Sequence, residues 1–150
     1  MPFMNARAGW CTPMLHVADV ERSIRFYRLL GFELVDIEGA EGCPLGWARL
    51  RTNDGSAVML LRAEDGHAVE PERQGILLIL YTADLGALRE QLAAAGEKPS
   101  LIEHPPWMPS GTIFLRDPDG YGIGINQWGD AEHDAWLKQL EAKRAAGRIP

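Results

Sequence analysis

A chain of 150 residues with 46% hydrophobic residues is long enough to bury the core of one compact domain. Its formal net charge of −6 argues against nucleic-acid binding, which relies on Lys and Arg to neutralise phosphates. No long apolar run predicts a membrane span, and residues 1–10 lack the pattern of a signal peptide. Cys11 and Cys43 make no disulfide framework, so we expect free buried thiols and a cytoplasmic location.

The chain repeats itself at an offset of 65 residues, from position 17 to position 82. The string at residues 17–20, Val-Ala-Asp-Val, resembles the string at residues 82–85, Thr-Ala-Asp-Leu. The same offset relates Gly31 to Gly96, Arg51 to Arg116, and the Asp-Gly pair at 54–55 to that at 119–120. We therefore predict two modules, about 11–63 and about 76–128, joined by a polar segment at 63–75 within a single domain of residues 1–150.

The first module begins with a short apolar strand at 12–17. A helix follows, with Asp19 as its N-cap and Gly31 as its stop signal. Three further strands are predicted at 32–37, 47–51 and 56–61, with a hairpin turn at Asn53-Asp54-Gly55.

The second module has the same order of elements. Its predicted elements are a strand at 76–81, a helix at 85–95, a weak strand at 100–103, and strands at 112–116 and 121–127. An extra C-terminal helix is expected at about 130–146, with Trp136 and Leu140 on one face. The predicted fold class is therefore α+β, with two βαβββ modules and an added helix.

Three strings carry a resemblance to a known family, and they lie at residues 14–19 (Met-Leu-His-Val-Ala-Asp), 30–32 (Leu-Gly-Phe) and 114–121 (Phe-Leu-Arg-Asp-Pro-Asp-Gly-Tyr). With them the chain resembles the vicinal oxygen chelate superfamily of glyoxalases, bleomycin resistance proteins and extradiol dioxygenases. The resemblance covers nearly all of residues 11–128 and implies the paired βαβββ fold. Its members include lyases, dioxygenases, transferases and binding proteins, so the fold alone does not give the function.

The resemblance also implies where a metal would bind, on the first and last strands of each module. The matching positions here are Thr12, Met59, Leu77 and Gly124, and they supply no imidazole or carboxylate. We therefore expect no metal ion and no other cofactor. The string His-Pro-Pro-Trp at 104–107 is similar to a segment of metal-free bleomycin-resistance-type proteins, in which the Trp lines an aromatic groove.

Strand alternation predicts which side chains face a ligand cavity. One face is wholly aliphatic, while the other mixes aromatic, polar and cationic side chains. The candidate ligand-binding residues are His16, Trp47, Arg49, Met59, Tyr81, Trp107, Phe114 and Asn126. We expect no carboxylate on this face, so the predicted ligand is aromatic and either neutral or anionic.

Several of these residues have simpler explanations. His16 could be a partly buried histidine that is hydrogen-bonded to the backbone, and His104 could have only a structural role in its loop. Trp47 and Trp107 could be core or dimer-interface residues. Arg51 and Arg116 were expected to form ion pairs with the turn aspartates rather than to take part in catalysis.

The leading hypothesis is a metal-free small-molecule binding protein that forms a homodimer and has no catalytic residues. The alternative is a metal-dependent lyase or dioxygenase-like enzyme with non-standard ligands, in which His16 would be a ligand or a general base. A third possibility is a member of the superfamily that acts through protein contacts, supported by the extra C-terminal helix.

Overall fold

The structure is a computed structural model that describes residues 9–64 and 69–150. Most of the N-terminal segment and residues 65–68 of the predicted linker lie outside the described residues. The chain divides into two compact units, Met1–Pro71 and Glu72–Pro150, and the boundary falls within the polar segment predicted at 63–75. That these units form a single domain remains a prediction.

The architecture is α+β, as predicted. The strands are β1 Met14–Val17, β2 Glu33–Glu38, β3 Trp47–Arg51, β4 Ala57–Arg62, β5 Leu77–Thr82, β6 Thr112–Arg116 and β7 Gly122–Gln127. The helices are α1 Val20–Leu29, α2 Leu85–Ala94, the C-terminal α3 Asp130–Ala145, and a short 3-10 turn at Pro71–Arg73. Most bounds agree with the sequence to within two residues.

The N-terminal sheet has the strand order β1-β4-β3-β2. Strand β1 runs parallel to β4, and the other pairs are antiparallel. Alternate side chains of these strands are fully buried with Tyr27 of α1, among them Leu15, Leu50 and Leu60. The helix presents its apolar stripe to this core because Val20, Ile24 and Tyr27 recur at helical spacing.

The C-terminal sheet has the strand order β5-β7-β6, with β5 parallel and β6 antiparallel to β7. Its buried side contains Ile113, Ile123 and Ile125, and Leu92 of α2 is likewise fully buried. The three isoleucines belong to the aliphatic strand face that the alternation of side chains predicts to be buried.

The weak strand predicted at 100–103 does not form. Only an isolated bridge joins Glu103 to Thr112, although Ser100 also exchanges hydrogen bonds with Phe114. Between these two contacts the segment advances by three residues, from 100 to 103, whereas β6 advances by two, from 112 to 114. The two segments therefore cannot pair in a regular register. Prolines at 99, 105 and 106 flank the segment, and because proline lacks an N–H the ladder cannot extend at either end.

Both cysteines are free, but Cys11 and Cys43 are exposed, so the expectation of buried thiols is wrong. Cys43 donates its backbone N–H to the carbonyl of Ala40 at 3.0 Å, within the loop that joins β2 to β3. The loop therefore presents the thiol to solvent rather than to the core. No helix in the described part of the chain is both long and apolar enough to span a membrane.

Candidate functional site

Four predicted ligand-binding residues share the open face of the N-terminal sheet, the side opposite α1; they are His16, Trp47, Arg49 and Met59. Met59 pairs with Arg49 on one side and with Met14 on the other. Leu61 pairs in the same way with Trp47 and His16. Because paired residues project to the same side of a sheet, the structure brings these four side chains together.

The same face also carries carboxylates, which the sequence analysis did not foresee. Asp36 pairs with Arg49, and Glu38 pairs with Trp47. The register shifts between Leu34 and Asp36, which changes the alternation of side chains within β2. The expectation of a face without carboxylates is therefore wrong for this unit.

A polar cleft of about 1000 Å³ opens at the end of this sheet. Half-buried Trp47 and Leu61 form its apolar part, while Glu38 and Glu64 contribute two carboxylates and Arg62 one guanidinium. The cleft is therefore large enough for a small molecule, but the net negative charge of its lining does not favour an anion.

The open face of the C-terminal sheet is more apolar. Leu77 and Tyr81 of β5 are 53% and 61% exposed, and Ile79 lies between them. Ile79 flanks Gly124 of the central strand β7, and Phe114 of β6 flanks Gly124 from the other side. A Cβ at Gly124 would lie 2.8 Å from Ile79 Cδ1 and 3.1 Å from Phe114 Cε1. The glycine thus lets two apolar side chains close over the middle of the sheet.

A cleft of about 640 Å³ lies at one end of this face. Leu77 and Phe114 line it with apolar surface, while Lys98 and Arg116 add two cationic groups and Glu97 adds one carboxylate. Arg116 Nη1 donates to the carbonyl of Gly120 at 2.8 Å, so the contact seen is with the turn's backbone rather than with an aspartate. Apolar walls with a net positive charge suit an aromatic anion.

Two of the other predicted site residues have defined partners. Asn126 is only 4% exposed, and its Oδ1 accepts the hydroxyl hydrogen bond of Thr112 at 2.8 Å. The Trp107 ring lies 6.5 Å from that of Phe114, centroid to centroid. His104 Nδ1 lies 2.9 Å from the carbonyl oxygen of Pro109, which supports the loop role of this histidine.

Sequence analysis missed an aromatic cluster around Trp128, the first residue after β7. Its ring lies 5.7 Å from Tyr81, 6.5 Å from His133 and 6.1 Å from Trp136. The spacing of His133 and Trp136, three residues apart on α3, places them on one helix face and was the available signal. Tyr81 is therefore part of an aromatic surface that continues onto α3.

The four family metal positions do not fit a metal ion. Met59 offers a soft thioether, while Leu77 and Gly124 offer no donor atom. Thr12 alone has a hydroxyl, which is a poor ligand without stronger partners. Among residues 9–64 and 69–150, no three His, Cys, Asp or Glu side chains are grouped as a metal site.

A family model described as the Glyoxalase/Bleomycin resistance protein/Dioxygenase superfamily matches residues 8–125. No curated protein matches the chain. Helix α3 and Trp128 lie outside the matched range, so the aromatic cluster is largely an addition to what the family model describes.

Solved structures with the same fold include three proteins named for antibiotics. A bleomycin-binding protein complexed with bleomycin has a TM-score of 0.63 and 22% identity, covering 81% of this chain and 100% of that one. TnmS3, an antibiotic binding protein from Streptomyces sp. CB03234, has a TM-score of 0.65 and 22% identity, with coverage of 84% and 100%. The fosfomycin resistance protein FosX from Mesorhizobium loti has a TM-score of 0.61 and 17% identity, with coverage of 85% and 97%.

Proposed function

Since this chain belongs to the Glyoxalase/Bleomycin resistance protein/Dioxygenase superfamily, we propose that it is a metal-free protein that binds a small aromatic molecule. The ligand is neutral or anionic, and the binding protein is a cytoplasmic homodimer. The free thiols of Cys11 and Cys43 are compatible with a reducing compartment. Binding proteins for bleomycin and another antibiotic among the structural neighbours support binding as the activity.

The observation that carries the proposal is the open face of the C-terminal sheet. Leu77 and Tyr81 expose more than half of their surface there, and Phe114 closes over Gly124 beside them. Large apolar side chains exposed on one face mark a binding surface in a protein of this size. Lys98 and Arg116 at the adjoining cleft outnumber Glu97, and the net positive charge favours an anionic ligand.

The side chains at the four family metal positions support binding without a metal ion. Three of the four family metal positions, Met59, Leu77 and Gly124, provide no oxygen or nitrogen side-chain ligand. Affinity must therefore come from apolar burial and from fixed charges around the face. Metal-dependent lyase or dioxygenase chemistry has no comparable support in the arrangement of these residues.

Two fluorescent probes test the proposal. The anionic probe is 8-anilinonaphthalene-1-sulfonate, and its neutral counterpart, N-phenyl-1-naphthylamine, lacks only the sulfonate. We expect both to bind, and Leu77→Ser to weaken both. Lys98→Met should weaken only the anion, by about twofold to fivefold, since a single exposed charge is worth little more.

The matched controls are Leu137→Ser and Lys138→Met on α3, which remove similar exposed groups away from the sheet face. These variants should bind both probes as the unmodified protein does. Equal losses in the sheet and helix variants would contradict the assignment of the face. A requirement for added zinc or manganese would contradict metal-free binding.

A further inference from the structure

A second, smaller cavity lies where α3 packs beside the segment before β6. Its volume is about 140 Å³, and its aromatic lining residues are Trp107, Trp128 and Trp136. Met108 and Pro109 add further apolar surface. An apolar cavity of about 150 Å³ is known to hold one benzene ring, so the space fits one compact head group.

The indole rings are inclined to one another and do not stack. The planes of Trp128 and Trp136 make an angle of 68° at a centroid separation of 6.1 Å. Trp107 and Trp136 remain 59% and 42% exposed, so a molecule can reach both rings from solvent. Because each indole face carries negative electrostatic potential, a cavity lined by three indoles favours a cation over an anion.

A carboxylate completes the lining. Glu132 Oε2 accepts the backbone N–H of Gly129 at 2.7 Å. This bond, together with a hydrogen bond from the Ser110 side chain, lowers the pKa of Glu132 from its ordinary value of 4.5. The group therefore stays ionised at neutral pH, and a carboxylate has room to accept more than the hydrogen bonds from Gly129, Ser110 and its own backbone.

The charged side chains at the start of α3, beside the cavity, are also negative. The first turns of α3 carry Asp130, Glu132 and Asp134, and the helix has no Lys or Arg before Lys138. A cation that enters the cavity therefore meets three aromatic rings and an acidic helix start. Neither Lys98 nor Arg116, the cations of the larger cleft, lines this cavity.

From this arrangement we propose that the cavity is a separate binding site for a small organic cation with an alkylammonium or quaternary ammonium head group. The head group lies against Trp107, Trp128 and Trp136, and Glu132 balances its charge. The site shares Trp107 with the surroundings of the open sheet face, but its other aromatic and charged residues, Trp128, Trp136 and Glu132, are distinct from those proposed to bind there. It uses Trp128 and α3, which lie outside the part of the chain that the family model matches.

Choline and its neutral isostere 3,3-dimethylbutan-1-ol are the probes, followed through the indole N–H signals in an NMR titration. The chain has five tryptophans, and single Trp→Phe variants assign their signals. Choline should shift Trp107, Trp128 and Trp136 with one dissociation constant in the millimolar range. The Trp10 and Trp47 signals should stay in place and serve as internal controls.

Two variants separate the contributions of the ring and the charge. Trp136→Ala should weaken choline binding by about fivefold or more, the scale of a cation–π contact. Glu132→Gln keeps an oxygen that can accept the Gly129 N–H but removes the charge, and should also weaken choline several-fold. Trp10→Phe should bind choline unchanged, and retained helix content with dispersed indole signals will show that each variant folds.

Three outcomes would overturn the proposal. The first is an equal response to choline and to the neutral alcohol, which would show a merely apolar cavity. The second is unchanged choline binding in Glu132→Gln. The third is the absence of any selective shift at Trp128 and Trp136.

Discussion

Asp19 and Asp84 form the same hydrogen bond at the same distance, since each Oδ1 accepts the backbone N–H of the residue three positions on at 3.0 Å. Each residue is the N-cap of its helix, α1 or α2, and the two lie 65 positions apart. The repeat in the sequence is thus a repeat of physical contacts. The repeat extends to the C-terminal ends of α1 and α2, where Gly31 and Gly96 have φ values of 90° and 89°.

We predict that Asp19→Ala and Asp84→Ala each lower the free energy of unfolding by about 1 kcal/mol, because each leaves a helix N–H without its partner. Asp19→Asn and Asp84→Asn keep an accepting oxygen and should cost much less. Urea unfolding followed by circular dichroism measures all four variants. An alanine variant as stable as its asparagine counterpart would show that the cap bond contributes nothing.

Local signals explain why most of the fold could be predicted from the sequence. Gly55 and Gly120, read as turn glycines, have φ values of 89° and 86°. Such positions are set by the conformational freedom of glycine and by hydrogen bonds between near neighbours. Strand alternation likewise identified the buried aliphatic residues, because one buried face forces a period of two.

Features that depend on distant partners could not be predicted. The bulge after Leu34 is defined by pairing with β3, and it brought Asp36 onto the open face. The missing strand at 100–103 reflects, besides its flanking prolines, an irregular register with β6 that depends on the partner strand. Trp128 and Trp136 became neighbours only because α3 turns back beside the end of β7.

The contact over Gly124 gives a prediction about stability. Gly124→Ala should lower the free energy of unfolding by about 1–3 kcal/mol, since the new Cβ would crowd Ile79 and Phe114. Gly75→Ala is the matched control, because nothing lies within 4 Å of its Cβ position and its φ is not positive. Adding Ile79→Ala to Gly124→Ala should recover part of the loss in a urea unfolding experiment.

We predict that Trp47→Ala and Trp107→Ala weaken ligand binding more than they weaken folding. Trp47 is half-buried on one sheet face, and Trp107 is 59% exposed beside Phe114. A stacked aromatic contact is worth about 0.5–1.5 kcal/mol beyond area burial. Thermal unfolding with and without a bound aromatic probe separates the two effects, and variants that simply unfold would assign both tryptophans to the core.

A homodimer is expected because apolar side chains and open strand edges are exposed in the chain. Val35 and Ile37 are exposed on the edge strand β2, and β5 is an edge strand of the other sheet. Such edges need a covering partner to avoid non-specific pairing. Light scattering at micromolar concentration should give twice the chain mass of 16.6 kDa. A mass near that of one chain would contradict the prediction.

The last prediction concerns the metal, and its chemical basis is the set of atoms at four positions. A hard or borderline cation keeps its water shell unless oxygen or nitrogen ligands replace it. Of the four, only Thr12 offers such an atom, and Met59 offers a thioether beside Met14. His16 lies on the same face as Met59, but one imidazole makes only a weak site.

Purified protein dialysed against a metal buffer should therefore carry no stoichiometric divalent ion when analysed by elemental mass spectrometry. Thermal unfolding should also be unchanged by added zinc or manganese, because an ion that binds only the folded state would raise the midpoint by mass action. A His16→Ala variant is the matched control and should behave identically in both measurements. One tightly held zinc, nickel, iron or manganese per chain, lost in His16→Ala, would contradict metal-free binding and identify this histidine as a replacement ligand.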